Sequence, residues 1–151
     1  MQRCAEYLVA AYIKVGAALR EQQDLNVQVD YKQAPSTFEQ LKLDALTMGT
    51  LFISDDHCET SIYGVQGNIA FRTMHDLGHL STGLTFSTAD EVALALHQWE
   101  QVRLCIPAAW RERCQAVYQA DTIMQSLYCE RHGVFPVDQT EFVLAALAAY
   151  N

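Results

Sequence analysis

The amino-acid sequence predicts an all-α fold, a compact bundle of five to six helices with room for one short extended segment. Half of the 151 residues are apolar and 19% are charged, which is the composition of a packed globular chain. Only seven glycines and three prolines are present, so long loops are not expected. The short connections between helical segments favour an antiparallel bundle, and we expect residues 1–151 to form one domain.

Apolar residues recur with helical spacing in six segments of the chain. These segments, with their predicted caps, are residues 2–22, 36–47, 69–80, 88–104, 107–131 and 138–150. Residues 26–33 alternate in polarity, and residues 51–54 form a short apolar run, so both are predicted to be extended or irregular.

Residues that commonly cap helices stand at the start of four of these segments, and they are Ser36, Asn68, Thr88 and Asp138. Three of them are followed three residues later by a glutamate, which is the spacing of a capping box. For Thr88 that glutamate is Glu91. Gly49 is expected to end the second helix.

The formal net charge of −8 argues against general nucleic-acid binding, because that function needs clustered lysines and arginines. An acidic surface serves solubility, and it would also suit docking on a basic protein partner. The five cysteines are odd in number and irregularly spaced, so a disulfide framework or a structural zinc knuckle is not expected. We therefore expect a cytoplasmic protein. The first segment is too polar for a membrane span and lacks a clean signal peptide.

Two histidines one helical turn apart, His75 and His79, are the main candidates for chemistry. Residues i and i+4 lie on the same face of a helix, so two imidazoles can bind one metal ion. Glu91 begins the next helix, one loop away, and is the predicted third ligand. The same spacing also arises in helices whose histidines only pack, and the capping box would explain Glu91 without a metal. Gly78, between the histidines, would let another group approach closely.

The string from Asn68 to Gln98 resembles a signature of phage and mobile-element proteins. That signature has an F-R-x-x-H-D-x-x-G-H or F-R-x-x-H-D-x-x-H core, then a loop with Gly and Phe, then a helix that opens with Gly-Glu or a similar pair. The matching residues are Phe71, Arg72, His75, Asp76, His79, Gly83, Phe86 and Glu91. Asp90 stands where the signature usually has Gly. Downstream, Glu130 with His132 and Gly133 is similar to a further Glu-x-(Arg or His)-Gly element. The resemblance implies a shared site and does not specify a reaction.

The segment MHDLGH is also similar to the histidine-aspartate dyad of HD-domain phosphohydrolases, all-helical metal enzymes that cleave phosphoesters. That resemblance implies a different ligand set, with His57, the pair His75-Asp76, and Asp121. His57 lies in a polar stretch that we predict to be a loop, and a solvated loop residue is its simpler interpretation.

The preferred hypothesis is a metal-dependent hydrolase of phosphoesters or peptides. His75, His79 and Glu91 would bind zinc, manganese or iron, and the general base would be Asp76 or Glu130. The alternative is a non-catalytic acidic protein of a phage or mobile element that binds a host protein. The small-molecule or protein partner and the oligomeric state are not specified by the sequence.

Other polar residues near the pair have simpler explanations. Arg72 precedes Asp76 by one turn, so an intrahelical ion pair is expected, although Arg72 could also bind an anionic substrate. His97 follows Glu91 by six residues and is predicted to face away from the pair.

Overall fold

Six helices and a two-stranded parallel sheet make up residues 1–149, which are the residues that the computed structural model describes. The elements are α1 (Gln2–Gln23), β1 (Asn26–Val29), α2 (Phe38–Met48), β2 (Thr50–Ile53), α3 (Gly64–Thr82), α4 (Thr88–Val102), α5 (Arg111–Gln119, Ala120–Met124 and Gln125–His132 in succession) and α6 (Gln139–Ala149). Short 3₁₀ turns at Arg103–Cys105 and Ala108–Trp110 connect α4 to α5. The predicted all-α bundle is confirmed.

The helix α1 lies at the centre of the molecule, with one face against α3. Its side chains Leu8 and Tyr12 are fully buried, as is Met74 on α3. Gly16 of α1 lies against Met74, and a Cβ there would make an ordinary contact of 3.5 Å with the Cβ of Met74. The hydroxyl groups of Tyr12 and Tyr63 are hydrogen-bonded at 2.8 Å inside the core. The histidine-bearing helix α3 is therefore anchored against α1 in the hydrophobic core.

The small sheet pairs Asn26–Val29 with Thr50–Ile53 in parallel, and α2 is the crossover between the two strands. The predicted extended segments are confirmed, but the first strand is shorter than predicted. It ends at Val29 because the Asp30 side chain accepts hydrogen bonds from the backbone N–H groups of Lys32 and Gln33, which turns the chain.

Two of the predicted N-caps are wrong by one residue. Thr37, and not Ser36, caps α2, and its side-chain oxygen accepts from the N–H of Gln40 at 3.2 Å. Ser87, and not Thr88, caps α4. Asp138 caps α6 as predicted, accepting from the N–H of Glu141 at 2.8 Å. In both errors two hydroxyl residues are adjacent, and local spacing does not distinguish them.

The predicted cap at Asn68 is also wrong, because α3 begins four residues earlier at Gly64. Asn68 is buried within the helix, and its amide donates to the sulfur of Cys58 at 3.3 Å. Gly67 lies directly against Val9 of α1, where a Cβ would overlap with the valine side chain. The first turn of α3 thus depends on packing against α1 and not on a local cap signal.

The long helix α5 covers most of the predicted segment 107–131, but its middle is a π-helical turn at Ala120–Met124. It ends with Gly133 in the left-handed region. Gly49 likewise ends α2, as predicted. The predicted end of the last helix at Tyr150 lies outside the described residues.

All five cysteines are unpaired thiols. Among residues 1–149, none of the helices combines the length and apolar character that crossing a membrane requires.

Candidate metal centre

The side chains of His75, His79 and Glu91 meet between α3 and α4. The Nε2 atom of His75 lies 2.8 Å from Oε2 of Glu91, and Nε2 of His79 lies 3.3 Å from Oε1. The two Nε2 atoms are 3.2 Å apart. One ligand atom from each side chain lies within 4.8 Å of the others, so the cluster, which we call the His-His-Glu triad, could hold a metal ion.

The loop between α3 and α4 brings Glu91 to the histidines. The helix α3 ends at Thr82, and Gly83 follows it in the left-handed region with φ of 73°. Ser87, the N-cap of α4, comes five residues after Thr82. The carboxylate of Asp90 holds this loop, accepting from the N–H and the hydroxyl of Thr85 at 2.8 and 2.6 Å. The N–H of Asp90 in turn bonds to the Ser87 hydroxyl. Since Ser87 is the N-cap of α4, Glu91 does not form the predicted capping box with Thr88. Its carboxylate contacts the two histidines instead.

A backbone carbonyl fixes which nitrogen of His79 carries hydrogen. The Nδ1 atom of His79 lies 2.8 Å from the carbonyl oxygen of Leu84. A carbonyl only accepts hydrogen bonds, so Nδ1 must be the donor. In the neutral imidazole the Nε2 atom then carries a lone pair, and this lone pair faces His75 and Glu91.

Gln98 of α4 fixes which nitrogen of His75 carries hydrogen. The Gln98 amide nitrogen donates to the carbonyl of Met74 at 2.9 Å, which leaves its oxygen 3.2 Å from Nδ1 of His75. That oxygen is an acceptor, so His75 donates from Nδ1 and its Nε2 atom carries a lone pair. Gln98 is fully buried, and this orientation satisfies both ends of its amide.

With both imidazoles neutral, two nitrogen lone pairs and a carboxylate meet with no donor among them. A cation must stabilise such a set, either a proton on one imidazole or a metal ion. Burial alone would lower the pKa of His75, but hydrogen bonding and charge from Glu91 outweigh it and raise that pKa. Burial likewise opposes ionisation of Glu91, yet its bonds to the histidines lower its pKa to about 2. The site therefore favours bound positive charge.

Gly78 makes room for Gln98, as its position between the histidines suggested. A Cβ at residue 78 would overlap with the Gln98 side-chain nitrogen and would touch the Gln98 Cδ and a Leu94 methyl group. Without a side chain at Gly78, the amide of Gln98 reaches the backbone of α3 beside His75.

Aromatic rings surround the two imidazoles. Phe71 stacks on His75 with ring centroids 5.3 Å apart, and Phe86 lies edge-on to His79 at 4.8 Å. Phe38 is 6.3 Å from His79 on another side. His79 is 1% exposed, whereas the side chains of His75 and Glu91 are 15% and 22% exposed. Of the three phenylalanine rings, Phe38 is buried, whereas Phe71 and Phe86 are half-buried.

His75 and Glu91 open onto a cavity of about 830 Å³. Its wall includes the π-helical turn of α5 and the chain between α5 and α6. Polar or charged residues on the wall, besides the triad, include His57, Arg72, Asp121, Gln125 and Glu130. The volume is within the range of small-molecule sites.

The predicted catalytic residues have different positions. Glu130 is exposed and lines the cavity, whereas Asp76 is half-buried and is not among the residues that line it. Burial raises the pKa of Asp76 to about 6, against the opposing effects of His75, His79 and Arg72. Their catalytic roles remain predictions.

Other predicted residues lie outside the triad. Arg72 donates from Nη1 to the carbonyls of Ser54 and Asp56 at 2.7 and 2.8 Å. The expected ion pair of Arg72 with Asp76 is not among the ion pairs within 4.0 Å in residues 1–149. His97 is exposed, and His57 lies in an exposed loop, as predicted.

The HD-type ligand set remains a prediction. His57 and Asp121 line the same cavity as His75. Within the described residues, however, the group whose ligand atoms converge consists of His75, His79 and Glu91.

Sequence reasoning missed Gln98 and the environment of Asp121. Gln98 lies 23 residues after His75, and nothing in its local sequence marks it as the partner of an imidazole. Asp121 lies on the π-helical turn, accepts from the Gln125 amide at 2.8 Å, and is buried beside Tyr63. Such turns are frequent at functional sites, but they cannot be read from apolar periodicity.

Comparison of the chain with protein-family models, with curated proteins and with solved structures finds no match. The functional interpretation therefore depends on the geometry of the triad and its cavity.

Proposed function

We propose that the protein binds a divalent metal ion through the His-His-Glu triad and acts as a metal-dependent hydrolase. The observation that carries the proposal is the fixed orientation of the imidazoles. Leu84 and Gln98 hold the two Nδ1 atoms, so both Nε2 lone pairs meet the Glu91 carboxylate at one point. Two histidines and one carboxylate are a ligand set of catalytic zinc sites, and they leave positions open for water and substrate.

The bound ion would supply Lewis acidity and make hydroxide available near neutral pH. Zinc, manganese and iron all accept imidazole and carboxylate ligands, and zinc is a suitable probe ion for the site.

The chain itself would position the substrate and move protons. Glu130 lines the cavity that His75 and Glu91 enter, so its carboxylate is the better placed general base. Asp76 lies next to His75 but is not among the residues that line the cavity, so it is the second choice for this role. The buried ring of Phe38 beside His79 would limit the access of bulk water on that side of the site. The resemblance to phage and mobile-element proteins is compatible with this role and adds no reaction.

The proposal is tested by metal content and activity together. We expect the chain to retain close to one zinc per molecule after dialysis, and His75→Ala and His79→Ala to lose it. His97→Ala, which removes an exposed histidine from α4, is the matched control and should retain zinc. Hydrolysis of simple esters, amides and phosphoesters is then measured with and without a chelator. Full zinc content in both histidine variants would refute the metal centre.

A second candidate function is a non-catalytic acidic protein that binds a basic partner. The formal charge of −8 favours it, since excess negative charge steers association with basic surfaces. In that case zinc would raise the melting temperature while none of the generic substrates is hydrolysed.

A further inference from the structure

An apolar segment of the chain between α5 and α6 forms part of the cavity wall. Val134, Phe135, Pro136 and Val137, which we call the 134–137 segment, all line the cavity that His75 and Glu91 enter. Val134 and Phe135 are each 61% exposed, and Val137 is 94% exposed. An apolar surface beside a polar centre is a common design of small-molecule sites.

This segment is anchored at both ends. Gly133 closes α5, with its N–H bonded to the carbonyl of Cys129 at 2.7 Å, and Asp138 caps α6. The Gln139 side chain donates to the carbonyl of His57 at 2.7 Å, and the Thr60 hydroxyl donates to the carbonyl of Val137 at 3.4 Å. The backbone of the 134–137 segment is thus anchored beside the cavity, which lowers the entropy cost of ordering it when a ligand binds.

The charged groups of the cavity disfavour a phosphate dianion. Phosphate recognition usually relies on several arginine or lysine side chains. Arg72 is the one arginine among the described residues that line this cavity, and its Nη1 atom already donates to two backbone carbonyls. Glu130, an exposed carboxylate, lines the same cavity.

We infer that the substrate is an uncharged ester or amide with an apolar acyl or aryl group, and that this group packs on the 134–137 segment while the carbonyl faces the triad. The inference rests on the proposed function, and Phe135 is its main specificity-determining residue. Phosphoesters, which the sequence left equally open, are the disfavoured class.

Three small probes test the inference by binding to zinc-loaded protein in calorimetry. Acetohydroxamate and benzohydroxamate share the same metal-binding group and differ in the apolar ring, and phenylphosphonate carries the ring on an anionic group. We expect benzohydroxamate to bind about tenfold more tightly than acetohydroxamate, because the ring is partly buried. In Phe135→Ala that preference should fall to about twofold. Leu46→Ala removes an exposed leucine from α2 and should keep the full preference.

A second variant tests the charge argument. Glu130→Gln should strengthen phenylphosphonate binding severalfold relative to benzohydroxamate, because the carboxylate repels the phosphonate dianion more strongly than the singly charged hydroxamate. Both Phe135 and Glu130 are exposed, so these variants should fold.

The inference is wrong if the two hydroxamates bind equally, if Phe135→Ala keeps the full preference, or if phenylphosphonate binds more tightly than benzohydroxamate. It is also wrong if sedimentation shows a dimer that Phe135→Ala dissociates, since a second copy would then cover the segment. Failure of the proposed function has a different signature, because elemental analysis would find no zinc in the unmodified protein.

Discussion

At the scale of single residues, the metal affinity of the triad should depend on groups that do not touch the metal. Gln98 orients His75 through Nδ1, and the Leu84 carbonyl orients His79. Partners of this kind typically contribute 10–100-fold to metal affinity. We expect Gln98→Leu, which keeps the side-chain volume, to weaken zinc binding by about tenfold or more in a chelator competition assay. Gln66→Leu at an exposed position of α3 should leave the affinity unchanged.

Gly78 is a second residue that acts through Gln98. The methyl group of Gly78→Ala would overlap with the Gln98 amide, so either the amide moves away from His75 or α4 moves away from α3. Overpacking of this kind costs about 1–3 kcal/mol. We expect denaturant unfolding to show such a loss, together with weaker zinc binding.

Gly16→Ala is the control for this substitution. Gly16 is also a buried helical glycine, but a Cβ there would make an ordinary contact of 3.5 Å with Met74. It should be tolerated or slightly stabilising, because alanine favours the helix. Equal destabilisation by the two substitutions would contradict the role assigned to Gly78.

Asp121 should make stability depend on pH. Burial raises its pKa from 3.8 to about 7, although a bond from Tyr63 opposes this. Between those two values the folded protein keeps a proton that the unfolded chain releases. The contribution of Asp121 to the free energy of unfolding therefore falls as pH rises from about 4 to about 7.

The free energy of unfolding of Asp121→Asn, taken relative to that of the unmodified protein, should be higher at pH 8 than at pH 4. We expect this change with pH to be on the order of 2–4 kcal/mol. Denaturant unfolding at a series of pH values measures this difference. A difference that is constant with pH would show that Asp121 ionises normally in the fold.

At the scale of elements, sequence patterns predicted the helices whose stability is local or strongly periodic. α1 and α6 were found because an amphipathic face or an Asp138 cap marks them directly. The start of α3 was missed because Gly64 and Gly67 are poor helix formers, and close contact with Val9 of α1 stabilises that turn. The π-helical turn of α5 has no sequence signal that we could use.

In the site, too, the sequence predicts features that are local and not those that depend on tertiary packing. The spacing of His75 and His79 predicts a shared face, and one short loop predicts that Glu91 is near. Which groups hold the imidazoles depends on how α4 packs across α3, and that is a tertiary property. A capping box at Thr88 was a plausible local explanation for Glu91. It is wrong because Ser87, and not Thr88, is the N-cap of α4.

At the scale of the whole molecule, the triad joins α3 to α4, so a metal that binds it should stabilise the fold. An ion that binds only the folded state at a hundred times its dissociation constant contributes about 2.7 kcal/mol. For a chain of this length that corresponds to a rise in melting temperature of roughly 5–10 °C. We expect zinc to produce this rise and excess chelator to reverse it.

The variants make this thermal measurement specific. His79→Ala and Glu91→Gln should abolish the zinc-dependent rise, while His97→Ala should keep it. A rise of equal size in all variants would place the stabilising metal elsewhere on the acidic surface.

X-ray absorption on the zinc-loaded protein tests the central claim most directly, because it reports the atoms bound to the ion. We predict a first shell of nitrogen and oxygen at about 2.0–2.2 Å with the outer scattering of two imidazoles. Sulfur at about 2.3 Å would assign the metal to cysteines, and a shell without imidazole would show that the His-His-Glu triad does not bind it. Either result would contradict the account.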